Sequence, residues 1–164
     1  MEFKFRVRLF LVLTYFDDIF GPQILSSQPL EIDKKIAEVV CNLMDIAAVG
    51  HQEGFIFSNR SFSSQNVFFS LVNQNARGGQ TDFLLSLLLA PTYPQVVSVI
   101  SMDWNSLFDL KDTIEPHLIQ FCEDGELLPL QERLEGAMTN LRRRMLETLN
   151  FELEILSPES YIVD

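Results

Sequence analysis

The sequence predicts an α+β fold: a five-stranded antiparallel sheet of spatial order 2-1-5-4-3, one helix between strands 2 and 3, and two C-terminal helices. Three observations carry this. Leu9 to Leu13 is apolar at every position, and so is nearly all of Asp82 to Ala90 (DFLLSLLLA). Strands that are apolar on both faces belong in the middle of a covered sheet. The third observation is a change of period, from two in the first ninety residues (the first helix apart) to three-and-four beyond them.

The first hairpin spans Phe3 to Pro29. Phe3, Phe5 and Val7 alternate with Lys4, Arg6 and Arg8, which puts one face on a core and the other in water. The chain then turns at Asp17-Asp18-Ile19-Phe20-Gly21-Pro22. Gly can take a positive φ, Pro holds its own, and the Asp carboxylates accept hydrogen bonds from turn amides. A metal site on two adjacent carboxylates is the rival reading, but no third acidic ligand sits nearby in sequence.

Glu31 to Val49 has helical period, with Ile32, Ile36, Val39, Val40, Leu43 and Ile46 on one stripe. Glu31 and Asp33 suit the positive end of the helix dipole, and Gly50 the stop. Three strands follow. Gly54 to Phe62 carries Phe55 and Phe57 and bends at Asn59-Arg60-Ser61. Val67 to Asn73 reads VFFSLVN, and Asp82 to Ala90 closes the set. Gln74 to Gln80, with its Asn and Gly78-Gly79 pair, is a hairpin connection and lacks the Lys-Ser/Thr of a phosphate loop.

After Pro91 a helix is expected, capped at Thr92, broken near Asp103 and eased at Pro116. Its stripe includes Val97, Ile100, Trp104, Leu107, Ile114, Leu118 and Phe121; the β-branched Val96 to Ile100 would also suit a short strand. A further helix runs from Pro129 to Leu149 with Leu130, Leu134, Met138, Leu141, Met145 and Leu149 inward. Arg142-Arg143-Arg144 falls in its C-terminal part, where dipole complementation and carboxylate pairing compete with an anion or partner contact. The acidic tail from Asn150 to Asp164 alternates over Phe151 to Ile155, the pattern of an edge strand or a docking peptide.

Composition excludes several function classes. The net charge of −11, with eight acids against two bases between Asp109 and Glu135, disfavours nucleic acid and anionic membrane surfaces. No run approaches the ~20 apolar residues of a membrane span, so the chain is expected to be cytoplasmic. Cys41 and Cys122 fall in apolar helical patterns and are expected as free thiols. His51 and His117 lie in no nucleophile or metal motif. No cofactor is implied.

With this element order, the first strand entering Tyr15 to Leu25 (YFDDIFGPQIL) resembles a longin domain, the profilin-like module related to roadblock domains. The resemblance covers residues 3–149, with 150–164 as a tail that could dock as an edge strand. It implies a non-catalytic platform with helices on one face of the sheet and the other face or an edge free. Such a platform would dimerise or join a complex and bind or regulate a small Ras-like GTPase in trafficking. Partner contacts would then fall at Asp17, Asp18, Phe20, Gly21, Pro22, Arg142, Arg143 and Arg144. The alternative is a small-ligand sensor or enzyme, with polar groups converging around His51, Asn59 and Arg60.

Overall fold

The computed structural model describes residues 5–50, 53–91, 104–156 and 161–163. Strands β1 (Phe5–Asp17) and β2 (Gly21–Gln28) precede helix α1 (Lys34–Gly50). Strands β3 (Gly54–Ser58), β4 (Ser63–Val72) and β5 (Gln80–Ala90) follow. Helices α2 (Trp104–Asp124) and α3 (Leu127–Leu156) and a short β6 (Tyr161–Val163) complete the chain. The five main strands are antiparallel in the order β2-β1-β5-β4-β3.

The two apolar runs lie side by side at the centre, Leu11 opposite Leu87 and Leu13 opposite Leu85. Their alternation feeds two cores. Leu9, Leu11 and Leu13 join Phe83, Leu85, Leu87 and Leu89 beneath α2 and α3. Phe10, Val12, Leu84 and Leu88 point the opposite way, beneath α1. The sheet is thus covered on both faces, which corrects the expectation of helices on one face only and, of the free face or free edge expected, leaves the edge. Continuous apolarity in β1 and β5 is the direct consequence.

β1 is long enough to pair with β6 as well as with β2 and β5. Leu11–Asp17 pairs with β2, with a register shift between Leu13 and Thr14. Phe5–Val7 pairs in parallel with Tyr161–Val163. Leu9 falls in the gap between these ladders. Its carbonyl accepts a hydrogen bond from Arg142 Nε of α3 at 3.1 Å, 133 residues away in sequence.

Several boundaries differ from the sequence reading. α1 starts at Lys34, with Asp33 as N-cap: its Oδ1 accepts from Ile36 N at 2.9 Å. Its buried stripe is Ile36, Val40, Leu43, Met44 and Ala47, whereas Ile46 is 45% exposed. α3 runs past Leu149 to Leu156, so Phe151–Ile155 is helical and not extended. Charged residues at alternate positions there are equally compatible with a helix, and the preceding turns supply the propagation. The longer helix also moves Arg142–Arg144 to its middle, where the dipole offers them nothing. Residues 92–103, including the helix-or-strand stretch Val96 to Ile100, lie outside the described residues, as does His51.

Candidate functional site

One end of the molecule gathers the β1–β2 turn, the β4–β5 loop and the α2–α3 connector. The turn is organised by Asp17, whose Oδ1 accepts from the amides of Ile19 at 2.8 Å and Phe20 at 2.9 Å. Gly21 follows at φ 74°, a conformation that costs a side-chain-bearing residue strain. Asp18 reaches across to the neighbouring loop and accepts from the amide of Arg77. That loop is closed by Gly78 and Gly79, both at positive φ, and by Asn73, whose amide donates to Gly79 O at 2.9 Å.

The connector is shaped by the same chemistry. Gly125, at φ 70°, ends α2 and donates its amide to Phe121 O at 2.8 Å. Asp124 accepts from Glu126 N at 2.9 Å and from Gln120 Nε2 at 3.0 Å. These two bonds, the backbone one first, hold its carboxyl below the ordinary aspartate range, helped by nearby Arg133.

Between the three segments lies an open bowl of about 540 Å³. Its lining includes Tyr15 and Phe121, packed edge to face with ring centroids 5.6 Å apart. Thr81 and Cys122 also line it. Burial, followed by the charge of Asp17, pushes the Tyr15 hydroxyl up; burial does the same to the Cys122 thiol. Cys122 therefore stays protonated near neutral pH and is a poor nucleophile. Asp17, Asp18, Glu123 and Asp124 contribute four carboxylates to the lining, and no Lys or Arg is among the described residues there.

The apolar side chains at this end are poorly covered. Ile19 is 83% exposed, Phe20 76% and Leu128 76%. Among the described residues, no three His, Cys, Asp or Glu side chains converge to hold a metal ion. The carboxylates are spread around the bowl and not focused on a point.

Of the sequence-predicted residues, Asp17, Asp18, Phe20, Gly21 and Pro22 come together on this one turn, and Asp17 and Asp18 also line the bowl. The arginine run does not join them. Arg142 sits fifteen residues along α3 from Leu127, roughly 22 Å at the helical rise, bonded to β1. Arg143 pairs with Glu147 at 2.9 Å and with Asn140 at 3.1 Å, and Arg144 is exposed. Asn59 and Arg60 lie between β3 and β4. There the Asn59 side-chain oxygen accepts from the amides of Ser61 and Phe62 and so builds the bend. What sequence reasoning missed is the contribution of Glu123, Asp124 and Leu127 to the same end. Their acidity was visible, but only the fold brings α2 down beside the first hairpin.

A second feature lies at the far edge of the sheet. Phe68 N donates to Glu53 O at 2.8 Å and Asn59 N to Phe62 O at 2.9 Å. These two bonds fix the alternation of β3. Its odd-numbered residues turn their main-chain groups toward β4, and Gly54, Ile56 and Ser58 turn theirs outward. No described strand lies on that outer side. Phe55 and Phe57 pack into the α1-side core, Gly54 leaves room for the Trp104 indole at 3.2 Å from where a Cβ would sit, and Ile56 is 46% exposed.

No helix among the described residues is long and apolar enough to cross a membrane. No family model matches the chain, and no curated protein matches it. Among solved structures it is similar to the K. lactis Lst4 longin domain, with a TM-score of 0.50 and 11% identity, over 86% of this chain and 96% of that one. Strand order, the succession of strands and helices and that likeness agree: the chain has a longin-like fold.

Proposed function

We propose that the chain is a non-catalytic protein-interaction platform that pairs through the outer edge of β3, with a second copy or a sister longin or roadblock domain. In this reading it presents the joined surface to a small Ras-like GTPase in a trafficking system. The observation that carries the reading is the edge itself. Among the described residues no strand pairs with the outer side of these five, Gly-Phe-Ile-Phe-Ser, whose even-numbered members turn amides and carbonyls that way, and the strand has no Lys, Pro or bulge to blunt it. A bare strand edge of this kind is a template for another strand.

The ends of the edge are complementary under an antiparallel two-fold. Pairing centred on Ile56 carries Glu53 of one copy toward the Asn59-Arg60 end of the other. With both sheet faces already occupied, the edges are the surfaces left for strand addition.

The GTPase half of the reading is tested by binding the immobilised chain to purified small Ras-like GTPases loaded with GDP or a GTP analogue, with Ile56→Lys run in parallel. Binding of one nucleotide state over the other, weakened in the variant, is the expected result. Equal, negligible retention of both states by both proteins would remove the GTPase from the proposal.

A further inference from the structure

We propose that the bowl at the β1–β2 tip docks a basic amphipathic segment of a protein partner, with Lys and Arg interleaved among apolar side chains. The inference rests on the platform reading and names the partner chemistry of the predicted turn, a surface separate from the β3 edge.

The first observation is uncompensated apolar surface. The turn needs Asp17 as its acceptor and Gly21 at positive φ; it does not need Ile and Phe at its apex. Yet Ile19 and Phe20 occupy that apex almost fully exposed. Ile19 lines the bowl with Phe16 and Leu127, which are 40% and 41% exposed. Contiguous apolar surface rimmed by charge marks an interaction site more often than a solvated end.

Charge then selects the occupant. Asp17, Asp18, Glu123 and Asp124 give the lining one sign. Arg77, whose amide meets Asp18, and Arg133, close enough to act on Asp124, do not line the bowl. A single metal ion would require convergent ligands, and none converge among the described residues. Positive charge distributed along a polypeptide fits the spread. An anionic lipid surface would meet the same carboxylates as repulsion.

Fluorescence anisotropy with labelled synthetic peptides tests this directly. The probes are a Lys/Leu peptide of helical period, a Lys-only peptide of equal charge and a Glu/Leu counterpart. At physiological salt the Lys/Leu peptide is expected to bind, and the other two to bind at least tenfold more weakly. Replacing the exposed apex by Ile19→Ser with Phe20→Ser should weaken the Lys/Leu peptide by about tenfold, as loss of a central apolar anchor does. Glu123→Gln, at an exposed residue without a structural bond to lose, should flatten the salt dependence.

Equal affinity of the wild type and the apex variant would overturn the proposal. So would equal affinity for the Lys/Leu and Lys-only peptides, or capture of the chain through Ile19 and Phe20 by anionic phospholipid vesicles. Ile56→Lys separates the two surfaces and should leave peptide binding intact. If the peptide fails while the wild type still self-associates, only the present inference falls.

Discussion

Gln65 lies in β4 almost completely buried, and neither its side-chain nitrogen nor its oxygen has a protein hydrogen-bond partner. It sits opposite Leu87, in the row of the sheet that faces α2 and α3. A buried amide without partners loses its hydration and regains nothing, so Gln65→Met, which keeps the volume and removes the polar atoms, should raise stability by about 1–3 kcal/mol. Chemical denaturation checks it; a lower midpoint at unchanged slope would show that Gln65 makes a bond worth keeping. This residue also marks a limit of legibility. Ser63-Ser64-Gln65-Asn66 reads as a polar run and invites a loop, whereas all four are buried in a strand. Asp17 and Gly21 were the opposite case: a turn cap and a positive φ are local requirements, and local requirements are written in local sequence.

At the scale of elements, α3 is a brace for β1. Its Leu130, Leu134, Met138, Leu141, Met145 and Leu149 follow spacings of four and three, and all are buried against the sheet. Arg142 completes the brace by reaching the carbonyl of Leu9, which belongs to neither the β6 nor the β2 ladder. Arg142→Met should keep the stem's packing and leave that carbonyl bare, costing about 1–3 kcal/mol. Thermal melts and amide exchange of β1 would show it. A variant with unchanged stability but impaired binding to the GTPase would reassign Arg142 to the partner surface. The stripe of α3 was legible because helical burial is periodic. The job of Arg142 was not, since its acceptor lies 133 residues away and nothing in a run of three arginines distinguishes the first from its neighbours. The end of α3 was misread for a related reason: five alternating residues satisfy both periods, and the choice falls to the turns before them.

For the whole molecule, two apolar strands set the centre, helices cover both faces, and what remains for association is the rim. β2 is bordered by α1 and α3, from which Cys41 Sγ approaches Pro22 O at 3.6 Å and Gln131 Nε2 donates to Leu25 O at 3.1 Å. β3 has no such cover among the described residues. The centre of the sheet followed from sequence because Leu9–Leu13 and Phe83–Leu89 are greasy on both sides, and two such strands belong inside the layer as neighbours. The placement of the acidic bowl did not follow, because it is assembled from three connections whose proximity only the fold creates. The account stands on β3 as the pairing edge, and light scattering coupled to size exclusion over a concentration series addresses that claim most directly. It predicts a wild-type mass rising from 18.8 kDa toward twice that value, with Ile56→Lys held at the single-chain mass and unchanged in circular dichroism. A wild type that stays at 18.8 kDa at every concentration, indistinguishable from the variant, would contradict it.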